Sequence, residues 1–132
     1  MHGYGQYVYT DISDCYEGQW LCGLRSGTGQ YRFANGNIFQ GEYVIGSRQG
    51  AGVFYYVGGE AEVNLYEKGA EVGEGARWSA DRSCAAFLRN GEAIERISLE
   101  EAAAIASTLG LMVPAVTVAL PTVGPMPIRI TE

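Results

Sequence analysis

The stretch YEGQWLCGLRSGTGQYRF, residues 16–33, sets Gly18, Gly23, Gly27 and Gly29 among the rings of Tyr16, Trp20, Tyr31 and Phe33. Glycine weakens a strand and aromatic residues favour one, so the combination needs a reason. FQGEYVIGSRQGAGVFYY, residues 39–56, repeats the arrangement. Gly27-Thr28-Gly29, Gly50-Ala51-Gly52 and Gly73-Glu74-Gly75 recur at a step of 23 residues, and Gly3-Tyr4-Gly5 precedes them by 24. Gly18, Gly41 and Asn64 keep the same step, as do Trp20, Tyr43 and Tyr66, and Gly23, Gly46 and Gly69. A fourth copy is degenerate: Leu88 takes the place of Tyr66, Gly91 that of Gly69, and Ala86 that of the glycine. End units of stacked arrays commonly decay in this way.

Each copy holds two short runs with period two. Tyr16, Gly18 and Trp20 face one side and Glu17 and Gln19 the other, while Gly29, Tyr31 and Phe33 face inward and Gln30 and Arg32 outward. Such alternation is that of a half-buried strand. Ala34-Asn35-Gly36-Asn37 between the runs carries the Asn-Gly hairpin signal. The unit is therefore a β-hairpin that buries its aromatic face only by stacking on its neighbours. The rings form a buried ladder with Trp20, Tyr43 and Tyr66 at one register position, and the glycines make room for the ring of the next unit or for a tight turn. Asn64 is expected to stand in for glycine at positive φ.

These residues resemble MORN repeats, whose pattern is Y-x-G-x-W/Y, two residues, G, three residues, G-x-G-x-aromatic. His2-Gly3-Tyr4-Gly5-Gln6-Tyr7 resembles the HGxGxY segment that starts the second half of such a unit. The resemblance covers residues 2 to about 91, departing at Glu62, where an aromatic is expected. It implies a mainly β fold, an elongated single-layer antiparallel sheet of stacked hairpins. It also implies a protein-binding scaffold of cytoskeletal, ciliary or membrane-proximal assemblies. The alternatives it implies are a regulatory or substrate-docking module of an enzyme and a lipid-binding module.

Beyond the array (residues 1–91) comes a capping helix region (residues 92–110) and an extended apolar Pro-rich tail (residues 111–132). Ser98-Leu99-Glu100-Glu101 is a capping box and Gly110 a stop, which predicts a helix over residues 99–109. Leu99, Ala102, Ala103, Ala106 and Leu109 make its apolar stripe. The outward set Val53, Tyr55, Val57, Val63 and Leu65 is apolar where Gln30, Arg32, Gln40 and Glu42 are polar, so the helix is expected to cover the late part of the sheet.

The net charge of −6 and the single lysine, Lys68, leave no basic stripe for nucleic acid and disfavour direct contact with an anionic membrane. No apolar leader opens the chain and no run is long enough to span a bilayer, so a soluble, cytoplasmic protein is expected. Cys15, Cys22 and Cys84 read as reduced thiols. With His2 they match a zinc set in number only, and His2, the single histidine, supports no nucleophilic relay. Glu60, Glu62, Glu67, Glu71 and Glu74 lack the spacing of a cation loop. The reading is of no enzyme, no metal and no cofactor. Tyr4, Tyr7, Val8, Tyr9, Tyr31, Phe33, Phe54 and Tyr55 are the candidate partner-binding residues. Tyr4, Tyr7, Val8 and Tyr9 lie on a first strand expected to accept strand addition from a protein partner.

Overall fold

The computed structural model describes residues 3–9 and 13–116. Among these residues nine strands run in sequence order through one open antiparallel sheet: β1 (Gly3–Tyr9), β2 (Asp14–Leu21), β3 (Leu24–Arg32), β4 (Ile38–Val44), β5 (Ser47–Tyr55), β6 (Ala61–Glu67), β7 (Ala70–Trp78), β8 (Ala85–Arg89) and β9 (Glu92–Ile97). One helix, α1 (Leu99–Thr108), follows. The fold is mainly β, as the repeat predicts. His2 and residues 117–132 of the apolar tail lie outside the described residues.

The two kinds of glycine do different work. Opposite the single residue Gln19, β3 spends three residues, Ser26, Gly27 and Thr28, between the pairs Trp20↔Arg25 and Gly18↔Gly29. The same bulge recurs between β4 and β5 and between β6 and β7. Gly27, Gly50 and Gly73 sit in these bulges with φ of 84°, 82° and 71°, a backbone that side chains resist. The second glycines of the first two of these doublets, Gly29 and Gly52, lie under a ring instead. A Cβ on Gly52 would stand 2.6 Å from Cε1 of Phe39, and one on Gly41 would stand 2.6 Å from Cζ of the same ring. Tyr16 covers Gly18 and Gly29 in the same manner.

This corrects two expectations. The covering ring, Tyr16 or Phe39, belongs to the same unit and stands two residues before Gly18 or Gly41; it does not come from the next unit. Gly18, Gly41 and Asn64 have no positive φ, so Asn64 does not replace a left-handed glycine. It fills space: Glu62 stands where Tyr16 and Phe39 stand in the earlier units, and without a ring the site opposite Gly52 admits a side chain. Asn64 is fully buried there, with Nδ2 donating to Oε1 of Glu62 at 3.3 Å.

The degenerate unit is also corrected. Its Asn90-Gly91 turn lies where the repeat places it, but Leu88 faces Gly75, the site of Gly41 opposite Gly29 and of Asn64 opposite Gly52, and Ala86 faces Arg77. The turn before β8 is one residue longer and β8 is shorter, so the strand slides against β7.

The helix caps as predicted. Ser98 Oγ accepts from the Glu101 amide and Glu101 Oε1 accepts from the Ser98 amide, both at 3.0 Å. It ends at Thr108 with Leu109 as its cap, one residue before the expected bound. It packs on the sheet face opposite the rings, where Ala102 and Ala106 join Val63, Ala76, Trp78 and Ala85, with Val53, Ile105 and Leu109 against them. Leu99, expected in the stripe, is 44% exposed, and Ile105 takes the inward place. Val57 and Leu65 of the expected covered set remain exposed.

Candidate interaction surface

Stacking the hairpins at a step of 23 places ring above ring, and the face away from the helix carries two aromatic rows. The inner row is buried: Trp20, Tyr16, Tyr43, Phe39 and Tyr66 meet edge to face with centroids 5.0–5.8 Å apart. Trp20, Tyr43 and Tyr66 were the expected ladder. Tyr16 and Phe39, each with no exposed surface, are the rungs between them. Their recurrence at the same step was the signal for this role.

The outer row is half-exposed. Tyr7 stacks on Tyr9 with centroids 4.5 Å apart, Tyr9 on Tyr31 at 5.9 Å, and Phe33, Phe54 and Tyr56 continue the line with neighbours 4.8–5.6 Å apart. Tyr7, Tyr9, Tyr31, Phe33 and Phe54 of the candidate set are thus brought together. Tyr56, which follows Phe33 by one step, belongs with them. Tyr4, Val8 and Tyr55 do not: alternation turns them to the other face, where the Tyr4 hydroxyl donates to Oε2 of Glu17 at 2.7 Å. That bond, with burial behind it, pushes the Tyr4 phenol up to about 12.

Two arginines at the same step lie over both rows. The Arg25 guanidinium sits 5.1 Å from the centroids of Tyr31 and Tyr43, and that of Arg48 sits 4.6 Å from Phe39 and 5.5 Å from Tyr66. Arg25 Nη2 donates to the Gly46 carbonyl at 3.1 Å. Burial raises the Tyr43 phenol although both guanidinium groups pull it down. Between Arg25 and Arg48 opens a hollow of ≈ 350 Å³ bordered by Tyr31, Phe33, Tyr43 and Ser47. The sequence reading passed over these arginines, although their spacing equals that of the glycine doublets.

The rows stop at the third unit. Arg77 takes the place of Tyr31 and Phe54 and pairs with Glu62, Nη1 to Oε2 at 2.6 Å, while lying 4.5 Å over the Tyr56 ring. The Tyr56 hydroxyl donates to the same carboxylate oxygen at 3.0 Å. At the opposite end Asp14 is buried, accepting from the Tyr31 hydroxyl and the Ala34 amide, each at 2.8 Å.

Among the described residues no three His, Cys, Asp or Glu side chains converge. Cys22 occupies a two-residue turn with φ of 52°, while Cys15 is buried on the helix side. No helix among the described residues is long and apolar enough to cross a membrane.

The MORN repeat family model matches residues 1–11, 16–38 and 39–60. The hairpins continue past the last match, through β9, with the rings replaced as described above. No curated protein matches the chain.

Proposed function

We propose that this MORN-repeat protein is a non-catalytic interaction scaffold that holds a segment of a partner protein along its outer aromatic row, as a subunit of a larger cytoskeletal, ciliary or membrane-associated assembly. The observation that carries the reading is the inequality of the two rows. The inner rings are covered, Tyr16 and Phe39 wholly, whereas the outer rings pack against them on one side and present the other to solvent in a continuous line. Large, rigid, amphipathic rings are what protein interfaces enrich, because they contribute contact area at little cost in side-chain entropy.

The test is capture followed by mass spectrometry, with the wild-type chain and a Tyr31→Ser, Phe33→Ser variant compared side by side. Proteins retained by the first and lost from the second support the reading, provided circular dichroism finds both folded. Identical retention by both overturns it.

A further inference from the structure

We infer that the hollow between Arg25 and Arg48 is a carboxylate socket, and that the partner segment on the outer row is an acidic peptide placing one Asp or Glu side chain between the two guanidinium groups. The inference rests on the reading of this face as a protein-binding surface. Three observations lead to it.

The first is an imbalance of charge. Neither Arg25 nor Arg48 has a carboxylate at ion-pair distance among the described residues, and no carboxylate borders the hollow. This occurs in a chain of net charge −6. Covering the surface with a neutral or basic peptide would take two cations out of water without compensation, which is costly. An acidic side chain removes the penalty.

The second is orientation. Each guanidinium lies over rings, Arg25 over Tyr31 and Tyr43 and Arg48 over Phe39, Tyr66, Phe33 and Phe54, so contacts on several sides limit where it can sit before a ligand arrives. A stacked guanidinium keeps its N–H edge available, and that edge matches a planar carboxylate. Arg25 commits one N–H to the Gly46 carbonyl and retains the others.

The third is an arrangement the molecule already contains. One unit further along the same face, Arg77 lies over Tyr56 and holds the Glu62 carboxylate, which also accepts from the Tyr56 hydroxyl. A ring, an arginine stacked on it and a carboxylate at its edge is therefore a combination this sheet accommodates. The first two units present the ring and the arginine, and the partner brings the acid. The rings flanking the hollow, Tyr31 and Phe33, would take apolar residues next to it. A phosphate-bearing membrane is the less favoured occupant, because the bilayer surface would meet an acidic body.

The test is selection of a random twelve-residue peptide library on the full chain. Enriched sequences are then made as fluorescein conjugates and titrated by fluorescence anisotropy. Enriched peptides should share an Asp or Glu beside apolar residues, and replacing that Glu by Gln should weaken binding about tenfold or more. Because the change is in the peptide, folding of the protein is not in question. Arg25→Lys, Arg48→Lys should lose a similar factor, since the charge is kept and the fork removed. Peptides without a shared acid, or Gln peptides bound within twofold, overturn the socket and leave the scaffold reading standing. Failure to enrich any peptide overturns both. Sedimentation with vesicles of phosphatidylcholine and one-fifth phosphatidylserine that depends on Arg25 and Arg48, in the absence of peptide binding, assigns the hollow to a lipid phosphate and overturns the peptide.

Discussion

Phe39 lies over Gly52 so closely that a methyl group on the glycine would stand 2.6 Å from Cε1 of the ring, well inside contact distance. The strand keeps glycine there because the ring of the same hairpin occupies the space a side chain would use, and not because the backbone needs positive φ. Gly52→Ala should therefore destabilise the array by about 1–3 kcal/mol through overpacking, against the modest gain alanine normally brings to a strand. Combined with Phe39→Leu, which vacates the space, it should cost less than the sum of the two single changes. Urea denaturation of the four proteins measures the coupling, and strict additivity would mean that the ring does not dictate the glycine.

The third unit is the inverse experiment, already present in the chain. Glu62 replaces the ring, and Asn64, which replaces the glycine, is buried with its Nδ2 on Glu62. Asn64→Gly should be destabilising by about 1–3 kcal/mol, since it removes a buried hydrogen-bonding group and opens a cavity. Glu62→Phe alone should also destabilise, by forcing a ring against Asn64. The two together re-create the pairing of the earlier units and should be less costly than the singles predict, by at least about 1 kcal/mol. Chemical denaturation decides, and a neutral Asn64→Gly would refute the packing account of the site.

The repeat step made the strands, the turns, the buried positions Trp20, Tyr43 and Tyr66, and the capped helix legible before any coordinates, because period-two alternation, Asn-Gly and a capping box are local signals. What stayed hidden was relational. That Tyr16 covers Gly29 is a fact about two strands, and the glycine alone offers two explanations, conformation and space, which sequence does not separate. The split of the candidate set between two faces was readable from alternation across Tyr7, Val8 and Tyr9 and was missed by grouping residues by ring instead of by parity. Arg25 and Arg48 stand one step apart, and the series ends there, since Glu71 holds the next place. Their importance came only from what lies beneath them, which the step cannot reveal. The slide of β8 depends on one added turn residue, and such insertions alter register without altering pattern.

Four two-residue turns close the hairpins on one side of the sheet, and their first residues are Cys22, Ile45, Lys68 and Asn90, with φ of 52°, 49°, 51° and 51°. Both central positions of such a turn are left-handed, which favours Asn-Gly. Ile45 is the strained member, since a β-branched residue pays most for that backbone, and at 75% exposure its side chain gains little from packing. Ile45→Asn should stabilise the protein by about 1 kcal/mol. A raised urea midpoint with unchanged slope is the expected readout, whereas a lower midpoint would show that Ile45 makes contacts the fold depends on.

The buried phenols make an alkaline limit to stability. Burial is the leading cause that raises Tyr16, Tyr43 and Tyr66 above the ordinary phenol value of 10.0, and the nearby arginines only partly oppose it. For a group whose folded value is raised, the favourable contribution is complete below the unfolded value and is lost as pH climbs from there towards the folded one. Stability should accordingly be insensitive to these three residues up to about pH 10 and fall steeply above it. Phenolate absorbance at about 295 nm should first rise for the more accessible tyrosines, then rise again together with loss of the sheet signal in circular dichroism, because the inner rings ionise on unfolding. Tyr66→Phe removes one of these groups while keeping the ring, and should move the second step to higher pH. A single smooth titration centred near 10, with the sheet intact throughout, would mean that the inner row is open to water.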